Sequence, residues 1–500
     1  MQRINDQKCP DSEYAESWRE LDWKKITNEV IAFQRRIVSA YKESNFKELA
    51  ILERLVTNSF CAKALAVLTV TKAKGARTAG VDDQSWKSDS QKYQAIMQLQ
   101  PDNYAPSPYL RIYIPKPQGG LRPISIPTMT DRAMQTLYKL VMEPIAECSA
   151  DRNSFAYRRW RSPHDAIVEC HRLLLNGAEW VIEGDIKGCF DNISHEWLLA
   201  NIPMNKDVLR KMLKCGYSEN RCGSVQATDV GVSQGGPLSQ ILCNLTLDGM
   251  SALVKQQDPG MEIIRYADDF IIAGNDLTRL MKLLPALSGF LAERGLALSE
   301  EKTTVTSVYT GFDFLGYRFQ KHNGNIKTKP SAKSVNRILA KLHYLINENN
   351  NDKANTAERV NAAIRGWANY HCYSTERGAF LYIDLMTNEY IRQSRMPSEI
   401  LNSMIAASEA GKERLIPALP SANPFDEDWR LYFEEWTYAR RFHTRKGRSR
   451  LEAVYSRQGG ICPVCNKTLE SEFSIHEKDG CGGSVIELLH PECHSGVHKS

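Results

Sequence analysis

Three aspartates draw attention through their surroundings. Trp180-Val-Ile-Glu-Gly-Asp185 is an apolar run ending on a carboxylate just before a Lys-Gly turn. Glu262-Ile-Ile-Arg-Tyr-Ala-Asp-Asp-Phe-Ile-Ile-Ala-Gly274 carries two more, Asp268 and Asp269, between runs of β-branched and aromatic residues. The second string reads as a hairpin with both aspartates at its tip. Aspartate suits turns, so the pair alone fits plain turn chemistry as well as it fits a site. Asp185 at the end of a nearby strand shifts that balance. One carboxylate there and two on the hairpin are what two-metal phosphoryl transfer needs: divalent cations about 4 Å apart, one on the attacking hydroxyl and one on the leaving pyrophosphate. A second constellation lies near the end of the sequence. Cys462-Pro-Val-Cys465 is followed 24 residues later by His490-Pro-Glu-Cys493. That spacing suits a tetrahedral structural Zn²⁺ site, with unliganded reduced thiols as the alternative and Cys481 as a spare ligand.

The surrounding sequence must supply elements that position these groups. Over the first eighty residues Trp23, Ile26, Val30, Phe33, Ile37 and Tyr41, then Leu49, Leu52, Leu55 and Val56, recur at helical spacing. From about 105 to 325 short apolar runs broken by Gly and Pro alternate irregularly with helical stretches, including 129–147 and 238–254, and the mixture predicts an α+β fold. Lys116 and Arg122 bracket a Gly-Gly turn on a predicted hairpin, either as a solvated basic tip or as two cations able to grip a triphosphate. Asp191 reads as a helix-start carboxylate in preference to a further metal ligand. The chain turns helical again from 331 to about 395. The divisions expected are 1–80, 81–325, 326–395, a linker and basic segment at 396–450, and a zinc domain at 451–500.

Composition narrows the class. Five hundred residues exceed one compact domain and suggest about three. Thirteen cysteines, an odd and scattered number, argue against a disulfide framework. No apolar stretch reaches about 18 residues and the N-terminus lacks a signal-like core, so a membrane span and a secretory signal are not expected. The net charge of +5 is small, but the positive charge is local. Residues 321–341 hold six Lys or Arg and no acid, and 440–450 hold six more with none. Lys333, Arg337 and Lys341, at i, i+4 and i+8, make one helical face basic, either as a solvated face or as a phosphate contact.

The strings Tyr-Ala-Asp-Asp (266–269), EGDIKGCFDNISH (183–195) and GVSQGGPLSQILCNLTLDGM (231–250) resemble reverse transcriptases of the bacterial group II intron type. YLRIYIPKPQGGLRPISIP (109–127), GLALSEEKT (295–303), GFDFLGYRF (311–319) and AERVNAAIRGWANYHCYS (357–374) follow in the family's order. Two departures stand out: Ala156 within SFAYRRW, where a Tyr-Gly-Phe-Arg string is usual, and Ser233, where Pro is usual. The resemblance implies a right-hand polymerase with fingers, an antiparallel palm sheet, a helical thumb and a small ββα zinc finger. It implies Asp185, Asp268 and Asp269 as catalytic carboxylates, with the Ile186 carbonyl as a further Mg²⁺ ligand. It places Phe190 as a steric gate against a ribose 2′-hydroxyl, and Lys116, Arg122 and Gln234 around the incoming dNTP. Lys333, Arg337, Lys341 and Arg365 fall in the part expected to bind intron RNA. The C-terminal end resembles an HNH endonuclease finger, which implies His476 as base and His494 and His498 as ligands of a catalytic divalent metal. There a single histidine stands where two are usual, and Val485 falls at the usual Asn position, so both an active and a degenerate nuclease fit. Intron RNA, a DNA target and dNTPs are the partners expected, in a bacterial cytoplasm. A stand-alone reverse transcriptase and a non-enzymatic splicing cofactor are the alternatives.

Overall fold

The computed structural model describes residues 10–115, 119–348, 353–394, 405–411, 413–414, 416–442, 451, 453–469, 473–480 and 483–497. Four helices open it: α1 (Pro10–Arg19), α2 (Trp23–Lys42), α3 (Phe46–Asn58) and α4 (Phe60–Lys72). Most of the expected periodicity is realised, because Ile26, Val30, Ile37, Leu49, Leu52 and Val56 are all buried, whereas Leu55 is exposed. Asp22 caps α2 by accepting the Lys24 and Lys25 backbone N–H groups, which a helix start otherwise leaves unpaired. After α5 (Asp89–Gln98), strands β1 (Tyr109–Pro115) and β2 (Leu121–Ile126) pair antiparallel, with Pro115 opposite Leu121. Helix α6 (Met129–Ser149) is buried on nearly all sides and forms the spine of this part.

Helix α7 (Pro163–Leu175) follows, then β3 (Trp180–Asp185), α8 (Cys189–Asn192), α9 (His195–Asn201), α10 (Lys206–Lys214) and β4 (Tyr217–Ser218), which joins β1 in parallel. The stretch 238–254, expected as one helix, is two: α11 (Ser239–Leu247) and α12 (Met250–Gln257). Gly249 turns the chain between them at φ +100, a conformation open to glycine, and the Asp151 carboxylate accepts the Gly249 and Ser251 N–H groups at the new helix start. Strands β5 (Glu262–Tyr266) and β6 (Asp269–Gly274), helix α13 (Leu277–Ala292) and β7 (Thr304–Ser307) complete a four-stranded sheet of order β5-β6-β3-β7.

Beyond it lie the antiparallel β8 (Phe312–Phe314), β9 (Tyr317–His322) and β10 (Asn325–Pro330), and helices α14 (Ala332–Asn347), α15 (Lys353–Tyr370) and α16 (Gly378–Gln393). Helix α17 (Arg430–Phe442) precedes a hairpin of β11 (Ser474–Gly480) and β12 (Gly483–Leu489) and helix α18 (Pro491–Val497), a ββα unit.

Two compact units emerge. One comprises Met1–Arg159, Asn176–Thr306 and Phe425–Glu427; the other comprises Trp160–Leu175, Ser307–Pro424 and Asp428–Ser500. Helix α7 therefore packs with the second, where His171 Nε2 meets Thr328 Oγ1 of β10 at 2.8 Å. Parts of 396–450, expected as linker and basic segment, are packed instead: Ala407 and Ala418 are buried, and Asp384 and Asp165 accept their backbone N–H groups. Among the described residues no helix is long and apolar enough to cross a membrane.

Candidate active site

The three aspartates converge. Asp185 ends β3, directly opposite Asp269 at the start of β6, and Asp268 sits in the β5–β6 turn. Directly opposed residues of antiparallel strands project from the same face, so Asp185 and Asp269 are neighbours by register, and the hairpin brings Asp268 beside them. Ala267 holds the turn at φ +60. Burial, then repulsion from Asp185, pushes the Asp268 carboxyl above the usual range. Asp269 lies at the open rim of the sheet, yet the crowding around its carboxyl, followed by the charges of Asp268 and Asp185, pushes it up to about 6. Three carboxylates gathered at one end of the sheet, where the charge of Asp185 raises the proton affinity of both Asp268 and Asp269, form a site suited to cations. The Ile186–Leu298 bridge runs its hydrogen bonds from Lys187 N to Ala297 O and from Ser299 N to Asp185 O. The Ile186 carbonyl therefore points away from Leu298, toward β6.

A cation the sequence reading did not single out already sits here: Lys302 Nζ is 2.8 Å from Asp185 Oδ2. It belongs to the GLALSEEKT string (295–303), and its distance of 117 residues from Asp185 left nothing local to reveal the pair.

Arg122, Gln234 and Asp191 form one chain of hydrogen bonds. Arg122 Nε donates to Gln234 Oε1 at 2.7 Å, and Gln234 Nε2 donates to both oxygens of Asp191 at 2.9 and 3.1 Å. The backbone fastens the same region: Val232 N donates to the Phe190 carbonyl at 2.7 Å, Gly231 N to the Ile193 carbonyl at 2.8 Å, and His195 Nε2 to the Gly231 carbonyl at 2.7 Å. Phe190 is buried and meets Tyr157 edge-on, ring centroids 6.1 Å apart. Tyr157 follows the divergent Ala156 and takes φ +59. Lys116 lies outside the described residues.

Behind the hairpin runs buried polar support. Arg265 of β5, 1% exposed, pairs with Asp248 at 2.6 Å and donates to Asn244, which in turn donates to the Ala156 carbonyl. Burial still drives the Asp248 carboxyl up to about 7, although the Arg265 charge opposes this. Gly184, opposite Phe270, leaves room for that ring: a Cβ on Gly184 would fall 2.1 Å from Phe270 Cζ.

In the second unit Lys333, Arg337 and Lys341 all lie exposed along α14, and Arg365 is exposed on α15. Trp367 and Tyr370 of the Arg-Gly-Trp-Ala-Asn-Tyr string serve packing. The Trp367 indole donates to Ser334 Oγ, the Tyr370 hydroxyl donates to the Leu315 carbonyl, and the Tyr370 carbonyl accepts from both His164 and Tyr317. Burial lowers the neighbouring His371 imidazole to about 3, so it is neutral.

The ligand atoms of Cys462, Cys465, His490 and Cys493 all lie within 4.8 Å of one another, the four-residue set expected for zinc. Burial opposes the Cys462 thiolate, but backbone N–H groups of Cys465, His490 and Val464 outweigh it and draw the thiol down to about 6. His476 on β11 stands edge-on to His494 of α18 at 5.6 Å, and both are buried. Its cross-strand partner is Glu487, a carboxylate that sequence reading passed over, while Val485 pairs with Lys478. Cys481 and His498 lie outside the described residues.

Comparison with known proteins agrees with this geometry. A model of reverse transcriptase (RNA-dependent DNA polymerase) matches residues 114–319, the N-terminal domain of reverse transcriptase matches 18–99, and the group II intron maturase-specific domain matches 335–397. The chain is 32% identical over 283 residues to the group II intron-encoded protein LtrA of Lactococcus lactis subsp. cremoris, covering 54% of this chain and 43% of LtrA. It is 30% identical over 339 residues to protein YkfC of Escherichia coli, covering 57% of this chain and 88% of YkfC. The chain thus spans less than half of LtrA's length. A solved telomerase from Candida tropicalis is a distant likeness (TM-score 0.39, 13% identity, 71% of this chain and 65% of that one). The ordered motifs, the three matched domains and the coverage of YkfC place the chain in the group II intron reverse transcriptase/maturase family.

Proposed function

We propose that this protein is an RNA-directed DNA polymerase that also binds intron RNA, assists its splicing and copies it into DNA during intron mobility. The convergence of Asp185, Asp268 and Asp269 at one sheet edge carries the reading. The donors fit Mg²⁺: three carboxylates at one strand end, with the proton affinity of Asp268 and Asp269 raised, and the Ile186 carbonyl on the side away from Leu298 are hard oxygen ligands. Asp185, Asp268, Asp269 and Ile186 would hold the two cations, which when bound supply charge stabilisation at the attacking and leaving oxygens. The residues of the chain do the remainder. Arg122 and Gln234, with Lys116, orient the dNTP; Phe190 closes the space a ribose 2′-hydroxyl would need; Lys302 adds a fixed positive charge beside Asp185. The exposed stripe of Lys333, Arg337 and Lys341, with Arg365, offers an RNA-backbone contact.

The Cys462, Cys465, His490 and Cys493 set fits structural Zn²⁺ in its donors and spacing. Around it we read an HNH-like finger that binds the DNA target, either as an active nuclease, in which His476 would be the base and His494 and His498 ligands of a divalent metal, or as a degenerate one that binds without cutting; a second-strand nick in target DNA incubated with the ribonucleoprotein distinguishes the two.

Primer extension on an RNA template tests the polymerase. Asp268→Ala should abolish DNA synthesis, and full retained activity would overturn the proposal. The doubly substituted Asp268→Ala/Asp269→Ala chain should still promote splicing, which separates RNA binding from polymerisation.

A further inference from the structure

We infer that Asp191 is a positioning residue of the nucleotide site, fixing which end of the Gln234 carboxamide faces the substrate. The inference rests on the polymerase reading above. A carboxylate can only accept hydrogen bonds and a guanidinium can only donate them. With Asp191 on one side and Arg122 on the other, the Gln234 amide has a single compatible orientation: nitrogen toward Asp191, oxygen toward Arg122. The neighbours alone dictate which end of the amide is nitrogen.

The backbone explains why Asp191 can do this reliably. Val232 and Gly231 are hydrogen-bonded to Phe190 and Ile193, so the loop bearing Gln234 is held in register with α8. Gly231 sits so close that a Cβ there would fall 2.6 Å from the Asp191 carbonyl oxygen. The backbones bearing Gln234 and Asp191 thus approach each other as parts of one body, and the orientation of the Gln234 amide remains for its side-chain partners to set. Asp191 sets it. Gln234 then presents an acceptor, which favours a donor on the substrate such as a sugar hydroxyl, while the remaining Arg122 N–H groups stay available to phosphate oxygens.

The test uses the full chain on a primed RNA template, with dNTPs and with 2′,3′-dideoxynucleotides, which lack the 3′-hydroxyl donor. Asp191→Ala should raise the dNTP KM about tenfold, or ~1.4 kcal/mol, leave kcat within about twofold, and narrow the preference for dNTP over dideoxynucleotide. Asp191→Asn, which keeps one acceptor and the side-chain size, should fall between, and it serves as the readout if the alanine variant unfolds. Asp191→Ala combined with Gln234→Ala should be no worse than Gln234→Ala alone, because the effect passes through that side chain. Multiplicative losses in the double variant, a fall in kcat at unchanged KM, or an unmoved dideoxy preference would overturn the inference while leaving the polymerase reading intact. A wild-type chain that extends no primer would overturn both.

Discussion

Gly184→Ala should cripple DNA synthesis without removing a single ligand. Gly184 precedes Asp185 on β3 and faces Phe270, which follows Asp269 on β6. The new Cβ would lie 2.1, 2.3 and 2.8 Å from three atoms of the Phe270 ring, where carbon atoms settle at about 3.5–4.0 Å. The ring is 1% exposed and has no solvent to swing into. The strain must therefore part β3 and β6 at the position where they carry Asp185 and Asp269, by about 1 Å once the ring has tilted. Overpacking of this kind costs about 1–3 kcal/mol, and a displacement of about 1 Å between reacting groups costs on the order of 100-fold in rate. Primer extension should show that loss in kcat, with a modest fall in the thermal midpoint. Adding Phe270→Leu should recover part of both, because it vacates the space the methyl group needs. Wild-type kcat and midpoint in the single variant would refute the reasoning.

Three further outcomes follow from the same geometry. The Asp269 carboxyl, at about 6, keeps protons in the folded chain that the unfolded chain has already released. Without divalent cation, stability contributed by this group therefore falls as pH rises from about 4 to about 6, while cation binding strengthens over that window. Added Mg²⁺ should raise the melting midpoint at about pH 7.5 and do so much less at about pH 5; equal shifts would contradict this. Cys465→Ser should lower bound zinc by about one equivalent per chain on metal analysis and expose the ββα unit to proteolysis, while primer extension persists. Replacing Lys333, Arg337 and Lys341 together by alanine should weaken RNA binding and flatten its salt dependence by about 2–3 in log-log slope; an unchanged slope would remove the stripe from the RNA interface.

What could be read in the residues was whatever is periodic or locally spelled out. The strand bearing Asp185, the hairpin of Asp268 and Asp269 and the Cys/His spacing are local patterns, and the structure builds all three as expected. What escaped depends on residues far apart. Lys302 reaches Asp185, Asp191 meets Gln234, and Arg265 pairs with Asp248 only after the sheet and helices have assembled. The break at Gly249 escaped for a related reason: apolar spacing continues across it, and the groups that stabilise the turn come from Asp151. Asp191 shows the limit most clearly. Its place at a helix start was legible, but its partner was not.

Helix α7 gives the architecture an unexpected order of assembly. Residues 160–175 belong to the same compact unit as 307–424, yet about 130 residues of the other unit are made in between. During synthesis His171 and His164 must wait for Thr328 and Tyr370 to arrive. The first unit is therefore completed around a loop whose helix has no permanent seat until the later strands emerge. A protein dissected at residue 306 would carry an orphaned helix on one fragment and an uncovered sheet on the other. Co-expression of the two pieces should be needed to recover either in soluble form.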